Sequence, residues 1–207
     1  MQSLPKTSIK QNRALLLLFF LSGSTALIYQ VIWQKLLFTA FGVDLQSTAI
    51  VVSTFMLGLG LGALVGGQFA EKYPNDQLLF FIFVEMGIGL FGFASYDVIR
   101  FVAESFFEYP LIVIAAVNFL LLLFPTLLMG ATLPVLVSHL YKQSRNVGTS
   151  IGSLYFSNTC GAALGCFFGG FILLNFFSYS ETLVIAAITN MAVAALAYLF
   201  IYRVEIV

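Results

Sequence analysis

The 207 residues include nine basic and nine acidic side chains, giving a formal net charge of zero, with 60% hydrophobic and only 9% charged residues. A mean hydropathy of +1.01 is more apolar surface than a chain can hide by folding in water, so the composition is that of an integral membrane protein and leaves no room for a soluble domain. The balanced charge provides no basic surface for nucleic acid.

A bilayer crossing takes roughly 20 apolar residues. The chain divides into such stretches at Ala14 to Phe41, Gln46 to Ala70, Gln77 to Ile99, Tyr109 to Leu140, Val147 to Leu174 and Ser180 to Tyr202. The first follows Lys6, Lys10 and Arg13, as a secretory signal would, but its apolar run continues past Tyr29 and Trp33 without a small-residue cleavage pattern; it is expected to be a retained span. Residues 1–13 and 203–207 are then cytoplasmic ends around a six-helix domain over 14–202. Short connections predict antiparallel neighbours.

Polar residues inside these spans are the candidates for chemistry. Helix 1 ends in YQVIWQK: Gln30 and Gln34 share a face with Trp33 one step round, which suits a cavity wall or an interfacial anchor, and an anchor is expected for Trp33 and Lys35. Helix 3 carries Glu85 among apolar neighbours. An intramembrane carboxylate is costly, which points to a proton carrier or a cation partner, or else to a paired group binding two helices together. Its expected partners are Lys35, Asn158 or Gln30. Helix 4 contains Pro125 and Pro134 in PTLLMGATLP; each lacks an N–H and crowds the carbonyl four residues back, at Leu121 and Gly130, so a kinked or locally opened hinge over Pro125, Gly130 and Pro134 is expected. Asn118, Asn158 and Asn190 are expected to make interhelical hydrogen bonds, and Asn158, one turn before a run of glycines, is also a solute-binding candidate. His139 is expected at a solvated edge, and Cys160 and Cys166 as small core residues. No metal-ligand spacing, nucleophile elbow or phosphate-cradling loop occurs in the sequence, so neither catalysis nor a cofactor is expected.

Helix 5 contains LYFSNTCGAALGCFFGGF, with Gly161, Gly165 and Gly169 at four-residue spacing; helix 2 repeats the pattern at Gly58, Gly62 and Gly66, and in both a further glycine follows, Gly67 and Gly170. Glycines four apart share a helix face and let another backbone approach closely. From Gly58 to Gly161 the displacement is 103 residues, about half of the 207-residue chain. The chain therefore looks like one three-helix unit used twice, over 14–99 and 109–202. An odd number of crossings per unit puts the second copy upside down, and inverted three-helix repeats nested in a six-helix half are the architecture of major facilitator transporters. With the N-terminus cytoplasmic, Lys6, Lys10, Arg13, Lys72, Lys142, Arg145 and Arg203 lie inside and only Lys35 and Arg100 outside, as the excess of cytoplasmic basic residues requires.

LSGSTALIYQVIWQKLL, FMLGLGLGALVGG, VEMGIGLFG, PTLLMGATLPVL and GSLYFSNTCGAALGCFFGGFILL together resemble the membrane half of the fused major-facilitator/spermidine-synthase-like proteins of bacteria. The resemblance implies a bacterial inner membrane and an association with polyamines. In that family a soluble aminopropyltransferase-like domain commonly follows the helices; the sequence to Val207 contains none of its motifs, so aminopropyl transfer is not expected of it. GGQFAEKYP after helix 2 is similar to the family's G-x-x-x-D-R-x-G loop, with Glu71 and Lys72 as its charged pair, and departs from it at Pro74 and Asn75.

These readings predict an all-α half-transporter that binds or moves a small cationic solute through Gln30, Glu85, Asn118 and Asn158, as a homodimer or with a partner half. The alternative is a non-transporting membrane module that holds a soluble enzyme or another membrane subunit.

Overall fold

The computed structural model describes residues 6–42, 44–106 and 108–202. The expected end at 203–207 lies outside the described residues, as does the start of the segment 1–13. Six long helices, all apolar enough to cross a bilayer, make up the architecture: α1 (Lys6–Phe41), α2 (Asp44–Lys72), α3 (Gln77–Ser105), α4 (Leu111–Ser144), α5 (Val147–Phe176) and α6 (Tyr179–Tyr202). The last two each contain a π-helical turn, at Gly169–Leu173 and Tyr198–Tyr202. There is no strand among the described residues.

The helix ends follow local chemistry. Gly42, at φ 69°, ends α1, and its N–H bonds to Phe38 O at 2.8 Å, the left-handed stop that glycine permits without strain. Arg145 takes the same role after α4 at φ 53°. Asn146 immediately caps α5 by accepting from the Thr149 N–H at 3.0 Å, so two residues reverse the chain. Ser178 and Glu181 close a capping box at the start of α6. Several helices outrun the sequence expectation: α1 is helical from Lys6 rather than Ala14, α4 passes Leu140 to Ser144, and α3 passes Ile99 to Ser105, where Arg100 and Glu104, one turn apart, pair at 2.8 Å on the exposed surface.

Packing reveals the duplication. α1 lies along α5 as α2 lies along α4; α3 pairs with α6; and α3 meets α4 as α6 meets α1. Exchanging each helix for the one three places later maps this set of neighbours onto itself, as two inverted copies of one three-helix unit require. Individual residues repeat the relation. Thr25 bonds back to Ser22 O at 2.9 Å and Thr132 to Met129 O at 2.7 Å, while Gly23 faces the Asn158 backbone and Gly130 the Leu59 backbone. The copies are not identical in length: 35 residues separate Gly23 from Gly58 but 31 separate Gly130 from Gly161, one helical turn fewer.

The glycine faces make the closest approaches. A Cβ on Gly161 would fall 2.8 Å from the Phe20 carbonyl carbon, and one on Gly165 would fall 2.7 Å from Ser24 Cα. On α2, Gly58 faces Thr126, Gly62 faces the Leu127 carbonyl and Gly66 faces the Ala131 backbone. Gly169 differs: its nearest neighbour is Ile28 Cγ1 at 3.4 Å, ordinary contact, and a π-helical turn begins there. The trailing Gly67 and Gly170 meet nothing within 4 Å.

Four expectations need correction. α4 is helical without interruption through Pro125 and Pro134, so the local opening is absent; Gly130 receives the α2 backbone at Leu59. Trp33 is not an interfacial anchor. It is fully buried, stacked on Tyr29 at 5.2 Å and flanked by Phe55 and Phe91, since the α1 face that carries it points toward α2 and α3, while Lys35 on the opposite side is exposed. His139 is buried at 8% exposure beside the α2–α3 turn, where Lys142 Nζ donates to Pro74 O, and the free thiols Cys160 and Cys166 are half-buried and exposed because α5 is peripheral.

Candidate functional site

The bundle interior consists of two apolar clusters. One is built around Tyr29, Ile32, Trp33, Ile88 and Leu122, and the other around Leu15, Phe19, Phe81, Leu136 and Val193. Polar side chains from α1, α3 and α6 meet in this interior, two from α1 and one each from α3 and α6. Glu85 of α3 is fully buried there. Its Oε1 accepts from the Ser22 hydroxyl at 2.5 Å and its Oε2 from the Asn190 amide at 2.7 Å. Asn190 Oδ1 in turn accepts from the Tyr29 hydroxyl at 3.1 Å. The groups that bond Glu85, a hydroxyl and an amide, are both neutral. A low dielectric raises both the worth of this hydrogen-bonded circuit and the penalty for breaking it.

Gly92 keeps this circuit in place. A Cβ there would fall 2.8 Å from both Cε1 and Cζ of Tyr29, so only glycine leaves the phenol room to reach Asn190. Gly92→Ala is expected to lower thermal stability by about 2–3 kcal/mol through overpacking and the lost bond. Tyr29→Phe, which loses only the bond, should cost about 1 kcal/mol; melting curves of the two purified variants compare them directly.

Beside the circuit is a cavity of about 220 Å³ between α1, α2, α4 and α5, lined by Phe19, Ser22, Ala26, Leu27, Phe55, Leu59, Ala63, Met129, Gly130, Thr132, Leu133, Tyr155 and Asn158. Ser22 belongs to both: it forms part of the cavity wall and donates to Glu85. Asn158 spends its amide on the Phe19 carbonyl at 3.2 Å, which leaves Oδ1 and the Tyr155 hydroxyl as polar groups for an occupant. The lining is otherwise apolar, the usual make-up of a small-molecule site.

The residues expected to bind a solute are not gathered in one place. Asn158 lines the cavity and Glu85 lies one side chain behind it. Asn118, fully buried, bonds back to Ile114 O of its own helix at 2.9 Å and leaves Oδ1 unpartnered. Gln30 is half-buried on α1 and takes no part in the Glu85 circuit. None of the partners expected for Glu85 is the observed one: Lys35 is exposed, and Asn158 sits on α5, which packs on α1 and α4. The sequence does not mark Ser22 and Tyr29 as partners of Glu85, because a hydroxyl in a membrane helix usually bonds its own backbone. Both lie on the Glu85 side of α1, and that seven-residue spacing was the available signal. No group of three or more His, Cys, Asp and Glu side chains comes together among the described residues.

Comparison with known proteins agrees with this architecture. A protein of Oceanobacillus iheyensis described as a polyamine aminopropyltransferase is 22% identical over 209 residues, which cover 96% of this chain and 37% of that protein. The chain thus spans little more than a third of the relative's length. No solved structure matches it. The Major Facilitator Superfamily profile matches residues 14–206, all six helices included, and with its inverted repeats and membrane-spanning composition the chain belongs to the Major Facilitator Superfamily, a transporter-like protein that crosses the membrane several times.

Proposed function

We propose that the chain forms one half of a transporter for a small cationic solute, with the cavity between α1, α2, α4 and α5 as its solute site and Glu85 as the negative charge behind it. The observation that carries this reading is Ser22, which faces the cavity and holds a buried carboxylate by a 2.5 Å bond. A carboxylate at membrane depth is costly unless it has a function or a partner, and here its partners are neutral. The relative's name supports a polyamine as the solute class.

Half a bundle walls only half a pathway. The outer faces of α2 and α5 flank the cavity and expose Met56, Leu64, Phe156 and Phe167, and a second copy or a separate partner half seated there would close it. The membrane is the bacterial inner membrane with both termini cytoplasmic, the orientation that the basic residues favour.

The test is uptake of labelled putrescine or spermidine into proteoliposomes. Uptake above empty vesicles is expected, with at least a tenfold loss in Ala63→Trp, which fills the cavity from an exposed position and so leaves the melting temperature unchanged. Uptake equal to empty vesicles counts against the reading. One observation favours a second reading, a membrane module serving an enzyme: a protein named for aminopropyl transfer contains a segment similar to this one. Purification in mild detergent would then return a stoichiometric soluble partner.

A further inference from the structure

The bundle end that carries the α1–α2 and α3–α4 turns has a separate cavity of about 370 Å³, between α1, α3 and α6. Its floor is apolar, with Leu36 and Ile99 buried at 6% and 1% exposure. Tyr96 and Tyr179 form its sides, and Arg100 and Glu104 stand at its mouth. The guanidinium lies 5.8 Å from the Tyr96 ring and 2.8 Å from the Glu104 carboxylate. These contacts hold the arginine in place and leave both charged groups more than half exposed, at 58% and 68%. Tyrosines and a basic residue at the end of an apolar helix mark headgroup depth in a bilayer.

The geometry points to a binding site for a phosphatidylethanolamine molecule, with its phosphate on Arg100, its ammonium on Glu104 and its glycerol and upper acyl carbons on the apolar floor. The charges choose the headgroup. A purely anionic lipid meets the Glu104 carboxylate and a purely cationic group meets Arg100, whereas a zwitterion satisfies both. Arg100 gives one nitrogen to Glu104 and keeps donors for phosphate oxygens, the planar fork that suits phosphate. Glu104 has a second oxygen for a donor, which a primary ammonium supplies and a quaternary choline does not. This site shares no residue with the cavity that adjoins Glu85, and its existence is independent of any transport activity.

The full chain, reconstituted in vesicles of equal phosphatidylethanolamine, phosphatidylcholine and phosphatidylglycerol and then re-extracted, is analysed for retained lipid by native mass spectrometry. Wild type is expected to retain phosphatidylethanolamine about fivefold over each of the others, the scale of one exposed charge contact. Glu104→Gln should raise phosphatidylglycerol to at least the level of phosphatidylethanolamine, because the repulsion is gone and the phosphate anchor remains. Arg100→Gln should lose the preference altogether. Both side chains are exposed, so folding is preserved, and unchanged elution and melting confirm it. Retained lipid that mirrors the vesicle composition in wild type, or selectivity unaltered in Glu104→Gln, overturns the assignment.

Discussion

Replacing Gly165 by valine is expected to dismantle the α1–α5 contact, lowering stability by about 3 kcal/mol or more, a fall of roughly 6–12 °C in melting temperature for a chain of this length. Where lipid is as apolar as the side chains, helices associate through close packing rather than through escape from water. At Gly165 that packing is backbone against backbone: the new Cβ would sit 2.7 Å from Ser24 Cα, and no rotamer change can relieve a clash with main chain. The helices must separate along their length, taking with them the bonds that Ser157 and Asn158 make to the Leu16 and Phe19 carbonyls. Gly170→Ala and Gly67→Ala are the controls. Neither position has a neighbour within 4 Å, so alanine there should be neutral or stabilising by up to ~1 kcal/mol through helix propensity. Equal melting temperatures for Gly165→Val and wild type would mean that α1 and α5 do not meet at this surface. Gly169→Ala, at ordinary contact distance from Ile28, should fall with the controls and not with Gly165, although spacing alone would group it with the latter.

Glu85→Ala and Glu85→Gln are expected to separate structure from function. Alanine leaves the Ser22 hydroxyl and the Asn190 amide buried without an acceptor, at about 1–3 kcal/mol each, and adds the cost of an empty volume, so the fall in stability should exceed about 3 kcal/mol. Glutamine keeps the shape and an oxygen for Ser22, and an amide turn at Asn190 lets the remaining pair stay bonded; its stability should lie within about 1 kcal/mol of wild type. If Glu85 is the charge that recognises a cationic solute, Glu85→Gln should nonetheless lose at least tenfold in polyamine uptake. Full uptake in a stable Glu85→Gln variant would reduce the residue to a bond between α1, α3 and α6.

The sequence by itself determined the membrane class, the six crossings and the duplication, and the physical reason is the same for each. A bilayer forces every backbone group to be satisfied within its own helix, so span length and hydropathy are local properties. The glycines that permit close approach are equally local, because a missing Cβ is read directly from the chain. What faces each glycine was not local. Gly58 and Gly161 look alike in sequence, yet one meets a threonine of α4 and the other a carbonyl of α1. Burial of Trp33 and His139 likewise depended on which side of a helix its neighbours occupy, and a uniformly apolar helix gives little sign of that. Pro125 and Pro134 are legible as irregularities, but α4 runs through both as continuous helix. The site shows the division most clearly. Glu85 stood out from its composition alone, whereas Ser22, Asn190 and Tyr29 became its circuit only when three helices crossed at one depth. Hydrogen-bond partners separated by 63, 105 and 161 residues are chosen by tertiary packing, since the chain between them fixes neither the distance nor the face.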